Sequence, residues 1–558
     1  MPLLRTRLVF ILFFFSFLAI IARLGWWQIA QSEALLNQAK AQRWEEKIIP
    51  AKRGEIFFTD AYPLASSKPF YNLYAFKPEI KISYQELTER LIKISSLEKN
   101  KIQEMLESDL LWIPIWKHLE EKDRKEVLSL QIDGLELEEE IGREYPEASQ
   151  AAHLLGFLGK DEKGENQGYF GLEGYYDRQL RGSDGKIVQE KDALGRPIIL
   201  GGYYLSTVKN GIDLRLFLDR QLQWIAEKHI AEGTKRYGAK KGLVIISDPQ
   251  NGGILAMAVY PDFDPSNYSK TKSELFLNPA ISGTFEPGSI FKILIMAAAL
   301  DSGTVAPQDI CSTCSGPVEI GEHTIKTWNE QYYPGSTMTE IIQHSDNVGM
   351  VYVGKQLGLE KTLVYLERFG IGQRTGIDLQ GEATGRLKEK KYWLPIDLAT
   401  ISFGQGIAVT PIQMVQVVNA IANQGKLIPP RIVQETNNGQ EIEKIKQETR
   451  QIIKPETAKQ VTEMMVNAVE QGEAKWTKIP GASIAGKTGT AQIPIQGHYD
   501  PEKTIASFIG FAPAFNPQFT MFVVLYEPTT SPWAAETAAP LWFDIAKDIF
   551  LLKSINPK

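Results

Sequence analysis

The stretch Thr284-Phe285-Glu286-Pro287-Gly288-Ser289-Ile290-Phe291-Lys292 opens an apolar run that continues to Leu300. Pro287-Gly288 is a turn signal, and the residues after it are good helix formers. Ser289 therefore falls in the first turn of a helix, where backbone N–H groups are unpaired and the dipole is positive. Lys292 lies three residues on, so its amine shares a helix face with the Ser289 hydroxyl. That is a nucleophile beside a base, at a site suited to a developing oxyanion. Two later stretches offer complementary groups. His344-Ser345-Asp346-Asn347 supplies a second hydroxyl and an amide. Ala485-Gly486-Lys487-Thr488-Gly489-Thr490-Ala491-Gln492 supplies an amine, two hydroxyls and a glycine. On an edge strand, Lys487 brings charge, Thr488 and Thr490 bind a carboxylate, and Gly489 leaves room for close backbone approach.

Each stretch alone is weak. Four other serines stand three residues before a lysine: Ser96/Lys99, Ser183/Lys186, Ser206/Lys209 and Ser269/Lys272. Those lie in polar surroundings and read as solvated side chains. Ser289 differs because an apolar helix follows it, so Lys292 meets a core instead of water. Desolvation lowers a lysine's pKa and makes it a base. Ser345 and Asn347 alone read as a helix cap, and the Lys487 stretch alone as a solvated strand. The ordered set S-x-x-K, S-x-N, K-T-G is far more specific than any one of its parts.

The elements that must position these groups are legible in part. A stalk helix is expected over Ser32–Gln42, a strand over Ile48–Phe58, helices over 83–128 and a strand over Gly134–Glu140. The character changes near Asn210-Gly211. A strand over Ile212–Leu218, a helix Arg220–Gly233 capped by Asp219, and a hairpin of Gly242–Asp248 with Gly253–Val259 are expected next. A largely helical block then runs to about residue 425, followed by a helix over Pro455–Gln471. Strands over Ser483–Gln492, Ser507–Ala512 and Phe519–Tyr526 precede a last helix, Ala538–Leu552. The class is α+β: a mostly antiparallel sheet with flanking helices and a helical subdomain.

Composition bounds the rest. The chain has 558 residues, 43% hydrophobic and 23% charged, which predicts two or three globular domains. A net charge of -6 argues against nucleic-acid binding. No phosphate-cradling glycine motif occurs, so no nucleotide cofactor is expected. Arg5 and Arg7 precede an uncharged run of 15 residues, Leu8–Ala22, and Arg23, Trp26 and Trp27 follow it. The run is short of the ~20 residues that usually span a bilayer. Snorkelling by Arg23 and the Trp pair at the interface extend it. An uncleaved anchor is expected in preference to a signal peptide, with the N-terminus cytoplasmic and the bulk of the chain outside. Cys311 and Cys314, the only cysteines, read as a local disulfide or idle thiols, and no metal site is expected.

The motif set resembles that of the class B penicillin-binding proteins, the monofunctional peptidoglycan D,D-transpeptidases. The likeness spans nearly the whole chain. It includes Arg53-Gly54-Glu55-Ile56, Arg143-Glu144-Tyr145-Pro146, Gly171-Leu172-Glu173, Leu180-Arg181-Gly182, Asp248-Pro249, Gly253–Met257, Phe263-Asp264-Pro265 and Ser402–Ile407 with Thr410-Pro411. The resemblance implies an anchor over 1–30, a pedestal over 31–210 and a transpeptidase domain over 211–558. It implies Ser289 as acylated nucleophile, Lys292 as base, Ser345 and Lys487 as proton carriers, and Asn347, Thr488, Gly489 and Thr490 as substrate-binding residues. It implies peptidoglycan stem peptides and β-lactams as ligands. A SEDS-type glycosyltransferase and divisome or elongasome proteins are the implied partners. A D,D-carboxypeptidase, a serine β-lactamase and a non-catalytic penicillin sensor share parts of the pattern. The E-x-x-L-N signature of class A β-lactamases and the E-D-x-x-F-x-x-H motif of bifunctional synthases are absent. Two stretches depart from the family: Thr59-Asp60-Ala61-Tyr62 and the loop Ser531–Pro540.

Overall fold

The structure, a computed structural model, describes residues 2–95, 97–191, 198, 203–446, 448–495 and 498–556. Ser96 lies outside the described residues. The chain forms two compact units, Met1–Arg53 with Arg181–Gly211, and Gly54–Leu180 with Ile212–Lys558.

The first unit begins with helix Pro2–Gly25, which widens into a π-helical turn at Trp26–Ala30. Leu3–Ala30 is 28 residues long, and its most apolar 18-residue window has a mean hydropathy of 2.5, so the helix is long and apolar enough to cross a membrane. Arg23 places its guanidinium 4.8 Å above the Trp27 ring. Helix Ser32–Arg43 follows, as the spacing of its leucines predicts. Strand Trp44–Ile49 then pairs with Gly185–Glu190, which pairs with Tyr203–Ser206, all antiparallel.

In the second unit a seven-stranded sheet joins distant parts of the sequence. Its order is Ile442–Lys444, Val433–Asn437, Asp213–Leu216, Ile56–Phe57, Pro63–Phe76 and Trp112–Leu119, with Leu135–Glu144 also paired to Pro63–Phe76. Three expectations change here. The strand expected over Ile48–Phe58 is two strands, broken after Ile49, because Pro50 has no N–H for a ladder. The helical stretch 83–128 holds three helices and one strand, Trp112–Leu119. Trp112-Ile113-Pro114-Ile115-Trp116 alternates, and Pro114 excludes a helix interior. The 14-residue strand Pro63–Phe76 was not expected, because Ser66, Ser67, Lys68 and Pro69 hide its alternation. Pro69 is tolerated because the strand is paired only with Leu135–Glu144 at that point.

The Arg143-Glu144-Tyr145-Pro146, Gly171-Leu172-Glu173 and Gly54-Glu55-Ile56 stretches converge beside this sheet. Arg143 Nε donates to Glu173 Oε1 at 2.6 Å, with the two side chains 3% and 0% exposed. Arg143 Nη1 donates to the Gly54 carbonyl at 2.8 Å. The Thr59–Tyr62 departure closes a turn, with Tyr62 N donating to Asp60 Oδ1.

The second sheet has the order Ile254–Tyr260, Lys241–Ser247, Phe519–Tyr526, His498–Ala512, Ala485–Ile495, antiparallel throughout. Alternate residues feed two cores, as period-2 geometry requires. Val244, Ile246, Met521 and Val523 pack with Trp542 of the last helix, Ala538–Lys553. Leu243, Ile245, Phe522 and Val524 pack with Ile293 and Leu294 of helix Lys292–Asp301. The helical block holds one small hairpin, Val318–Ile320 with His323–Ile325. Cys311 and Cys314 are disulfide-bonded.

Removing one member of a buried ion pair strands the other charge and costs about 3–5 kcal/mol. Glu173→Ala should therefore lower the calorimetric unfolding midpoint clearly. Lys81→Ala, which breaks the exposed pair with Asp133, should leave it unchanged within error.

Candidate active site

Ser289 sits on the 3-10 turn Gly288–Phe291, and Lys292 is the first residue of helix Lys292–Asp301. All 10 residues of that helix are buried, so the Lys292 amine is carried into a dry core and is fully buried. Ser345 lies between two helices. Helix Met338–Gln343 starts on a Thr337/Glu340 capping box, and helix Asn347–Arg368 starts on Asp346, whose carboxylate accepts from Val348 N at 2.8 Å. Ser345 bridges them at φ 54°, in the left-handed region. Lys487 stands on Ala485–Ile495, which is paired on one side only, as expected of an edge strand.

These three elements bring the predicted groups together. Lys292 Nζ donates to the Ser345 carbonyl at 2.5 Å, to Asn347 Oδ1 at 2.8 Å and to Ser345 Oγ at 3.3 Å. Lys487 Nζ donates to Ser345 Oγ at 2.9 Å and to Thr488 Oγ1 at 3.2 Å. The Ser345 hydroxyl is thus shared by two amines. Among the described residues, none of the Lys292 hydrogen bonds reaches Ser289. Burial pushes the Lys292 amine down to about 7, and the Lys487 ammonium adds to this, while Asp346 and Glu473 oppose it. Burial also lowers Lys487, again opposed by Glu473.

Thr490 Oγ1 accepts from Ala534 N at 3.1 Å, which leaves its proton available to a ligand. The loop Ser531–Pro540 thus borders the site despite its departure from the family pattern. At Gly489 a Cβ would lie 2.6 Å from Ser507 Oγ and 2.8 Å from Ile290 Cγ2. The close approach that this glycine permits is to the Ser289 turn and to the neighbouring strand. It locks the Lys487 strand onto the Ser289 turn.

Ser289, Ser345, Asn347, Thr488 and Thr490 line one cleft, joined by Trp328, Phe403, Gln405, Glu473 and Trp533. The rings of Trp328 and Trp533 are 5.1 Å apart. The sequence reading missed both tryptophans and Glu473. Trp328 and Trp533 stand in segments with no periodicity, and Glu473 follows a helix end, where a lone acid reads as solvated. Phe403 and Gln405 belong to the Ser402–Ile407 stretch, which carried a resemblance but no role.

Residues 242–550 match the penicillin binding protein transpeptidase domain, and residues 48–216 match the penicillin-binding protein dimerisation domain. Stage V sporulation protein D of Bacillus subtilis is 32% identical over 566 residues, covering 99% of this chain and 87% of that protein. The peptidoglycan D,D-transpeptidase FtsI homolog of Mesostigma viride is 29% identical over 583 residues, covering 99% of this chain and 96% of that protein. The crystal structure of penicillin binding protein 3 from Mycobacterium tuberculosis in complex with aztreonam has a TM-score of 0.72 and 25% identity, covering 92% of this chain and 98% of that one. The family model covers more than half of the chain, and the three motifs that carry the resemblance meet in one cleft: this chain belongs to the class B penicillin-binding proteins, the peptidoglycan D,D-transpeptidases.

Proposed function

We propose that this D,D-transpeptidase cross-links stem peptides through an ester on Ser289, and that Lys292, Ser345 and Lys487 move the protons. The observation that carries this is the Lys292 amine, fully buried and hydrogen-bonded to Ser345 and Asn347; burial pushes it down to about 7, within reach of the neutral form near physiological pH. The Ser289 hydroxyl attacks the carbonyl carbon between the two terminal D-alanines. Its proton passes to neutral Lys292. The tetrahedral oxyanion is held by the backbone N–H groups of Ser289 and Thr490; loss of one such donor typically costs about 10²–10³ in rate. Collapse breaks the peptide C–N bond. The leaving amine takes a proton through Ser345 Oγ, which is hydrogen-bonded to both lysines. Asn347 orients the peptide amide, and Thr488 and Thr490 receive the terminal carboxylate. An amine of a neighbouring strand then attacks the ester, losing a proton to the same relay, and Ser289 is released. A β-lactam enters as a cyclic amide whose leaving group stays tethered, so the ester persists.

The proposed arrangement along the chain is an anchor over 1–30, a pedestal over 31–210 and a transpeptidase domain over 211–558. Arg5 and Arg7 before the apolar helix favour a cytoplasmic N-terminus with the catalytic domain outside. A membrane glycosyltransferase of the SEDS type and division or elongation proteins are the proposed partners. The carboxypeptidase reading uses water in place of the acceptor amine.

Ser289→Ala should abolish covalent labelling by a fluorescent penicillin; normal labelling of that variant would remove Ser289 as nucleophile. Acylation needs Lys292 unprotonated. The second-order labelling rate should fall about tenfold per pH unit below about 7 and level off above it. A profile flat from pH 5 to about 9 would exclude Lys292 as the base. Release of intact acyl-enzyme should be slow, so rapid penicillin hydrolysis in a steady-state assay would favour a β-lactamase instead.

A further inference from the structure

Glu473 is the only charged side chain among the described residues that line the cleft, and the mechanism above gives it no task. Its placement is forced. Helix Pro455–Gln471 ends at Gly472. A Cβ there would fall 2.2 Å from the Ala468 carbonyl oxygen and 2.9 Å from that of Gln343. Only glycine passes so close, and the tight exit delivers Glu473 into the cleft. The position sits beyond a helix C-terminus, where the dipole disfavours negative charge. Something in the cleft compensates.

The compensating contact is at Thr488. Thr488 Oγ1 donates to Glu473 Oε2 at 3.0 Å, while it accepts from Lys487 Nζ. A threonine hydroxyl has one proton. With that proton committed to Glu473, Thr488 has none left for an arriving carboxylate. Thr490 differs, because its hydroxyl accepts from Ala534 N and keeps its proton free. Of the proposed carboxylate-binding pair, only Thr490 has its proton uncommitted to another side chain. The charges that face the two lysines are each other, Asp346 and Glu473.

We propose that Glu473 is a specificity-determining residue: its carboxylate holds the Thr488 hydroxyl, and a ligand's terminal carboxylate binds there only by displacing it. The inference rests on the assignment of Thr488 and Thr490 as the carboxylate subsite. Two carboxylates at one hydroxyl repel, so anionic acyl donors bear a handicap that uncharged ones do not. The same negative charge holds both lysines more protonated than burial alone would leave them.

The test uses the full chain, benzylpenicillin and its uncharged methyl ester, with acylation of Ser289 followed at pH 9, where Lys292 is deprotonated. Glu473→Gln keeps an oxygen for Thr488 and removes the charge. Its anion-to-ester ratio of second-order rates should rise roughly fivefold, the size of one screened like-charge contact. The acid limb of its pH profile should move to lower pH, a change that a merely structural role would not produce. Glu473→Asp, which keeps the charge, should leave the limb near its original position. If Glu473→Gln does not fold, Glu473→Ala carries the same comparison. An unchanged ratio in a folded variant that still acylates Ser289 overturns the gate alone. Failure of the unsubstituted chain to acylate at Ser289 overturns the gate and the assignment beneath it.

Discussion

Two lysine amines, buried beneath the cleft, share one serine hydroxyl, and the rest of the surrounding unit is arranged to keep them buried. A buried ammonium is stable only when its protons are satisfied and its charge is paired. Here the satisfaction is complete and the pairing is not. Lys292 spends its donors on Ser345 and Asn347, and Lys487 on Ser345 and Thr488. The partners of both are neutral oxygens, with Asp346 and Glu473 acting at longer range. The consequence is an amine that gives up its proton several pH units below a solvated lysine. Exposure would undo this, because hydration restores the charged form.

Keeping the site dry falls to the cores on the two faces of the five-stranded sheet. The helix that carries Lys292 is buried along its whole length, so no solvated face exists for the amine to turn toward. The sheet's edge strand brings Lys487 from the opposite wall, and Gly489 lets that strand lie against Ile290. The helical subdomain closes the third side through Ser345. The Ser289 turn, the Ser345 link between two helices and the edge strand come from positions near 289, 345 and 487 of the sequence. Their meeting depends on tertiary packing.

This division explains what the sequence made legible. Motif residues carry their chemistry in their type, so Ser289, Lys292, Ser345, Asn347 and Lys487 were readable as a set, and so was a buried amine from the apolar run behind Lys292. Helix Pro455–Gln471 and strand Phe519–Tyr526 were read to the residue because the helix has a clear period and a proline start, and the strand is a nearly unbroken apolar run. Strand Pro63–Phe76 was not, because its polar middle satisfies its backbone through a partner more than sixty residues away. Glu473 was invisible for a related reason. Its meaning lies in a contact with Thr488, 15 residues on, and no local pattern marks an acid that a glycine turns inward.

The identity of the middle hydroxyl follows from the same geometry. Ser345 must end one helix and let Asp346 cap the next, and the chain manages this with a left-handed residue. Threonine would offer the same hydroxyl, but a β-branched side chain at positive φ is strongly disfavoured. Asparagine and glycine tolerate the backbone yet supply no hydroxyl. Serine satisfies both demands at that position. The left-handed turn also points the Ser345 carbonyl at Lys292, so one residue gives that amine two acceptors, a carbonyl and a hydroxyl. Backbone strain at Ser345 is therefore bound up with these contacts: relaxing the turn would move the hydroxyl off the line between the two amines.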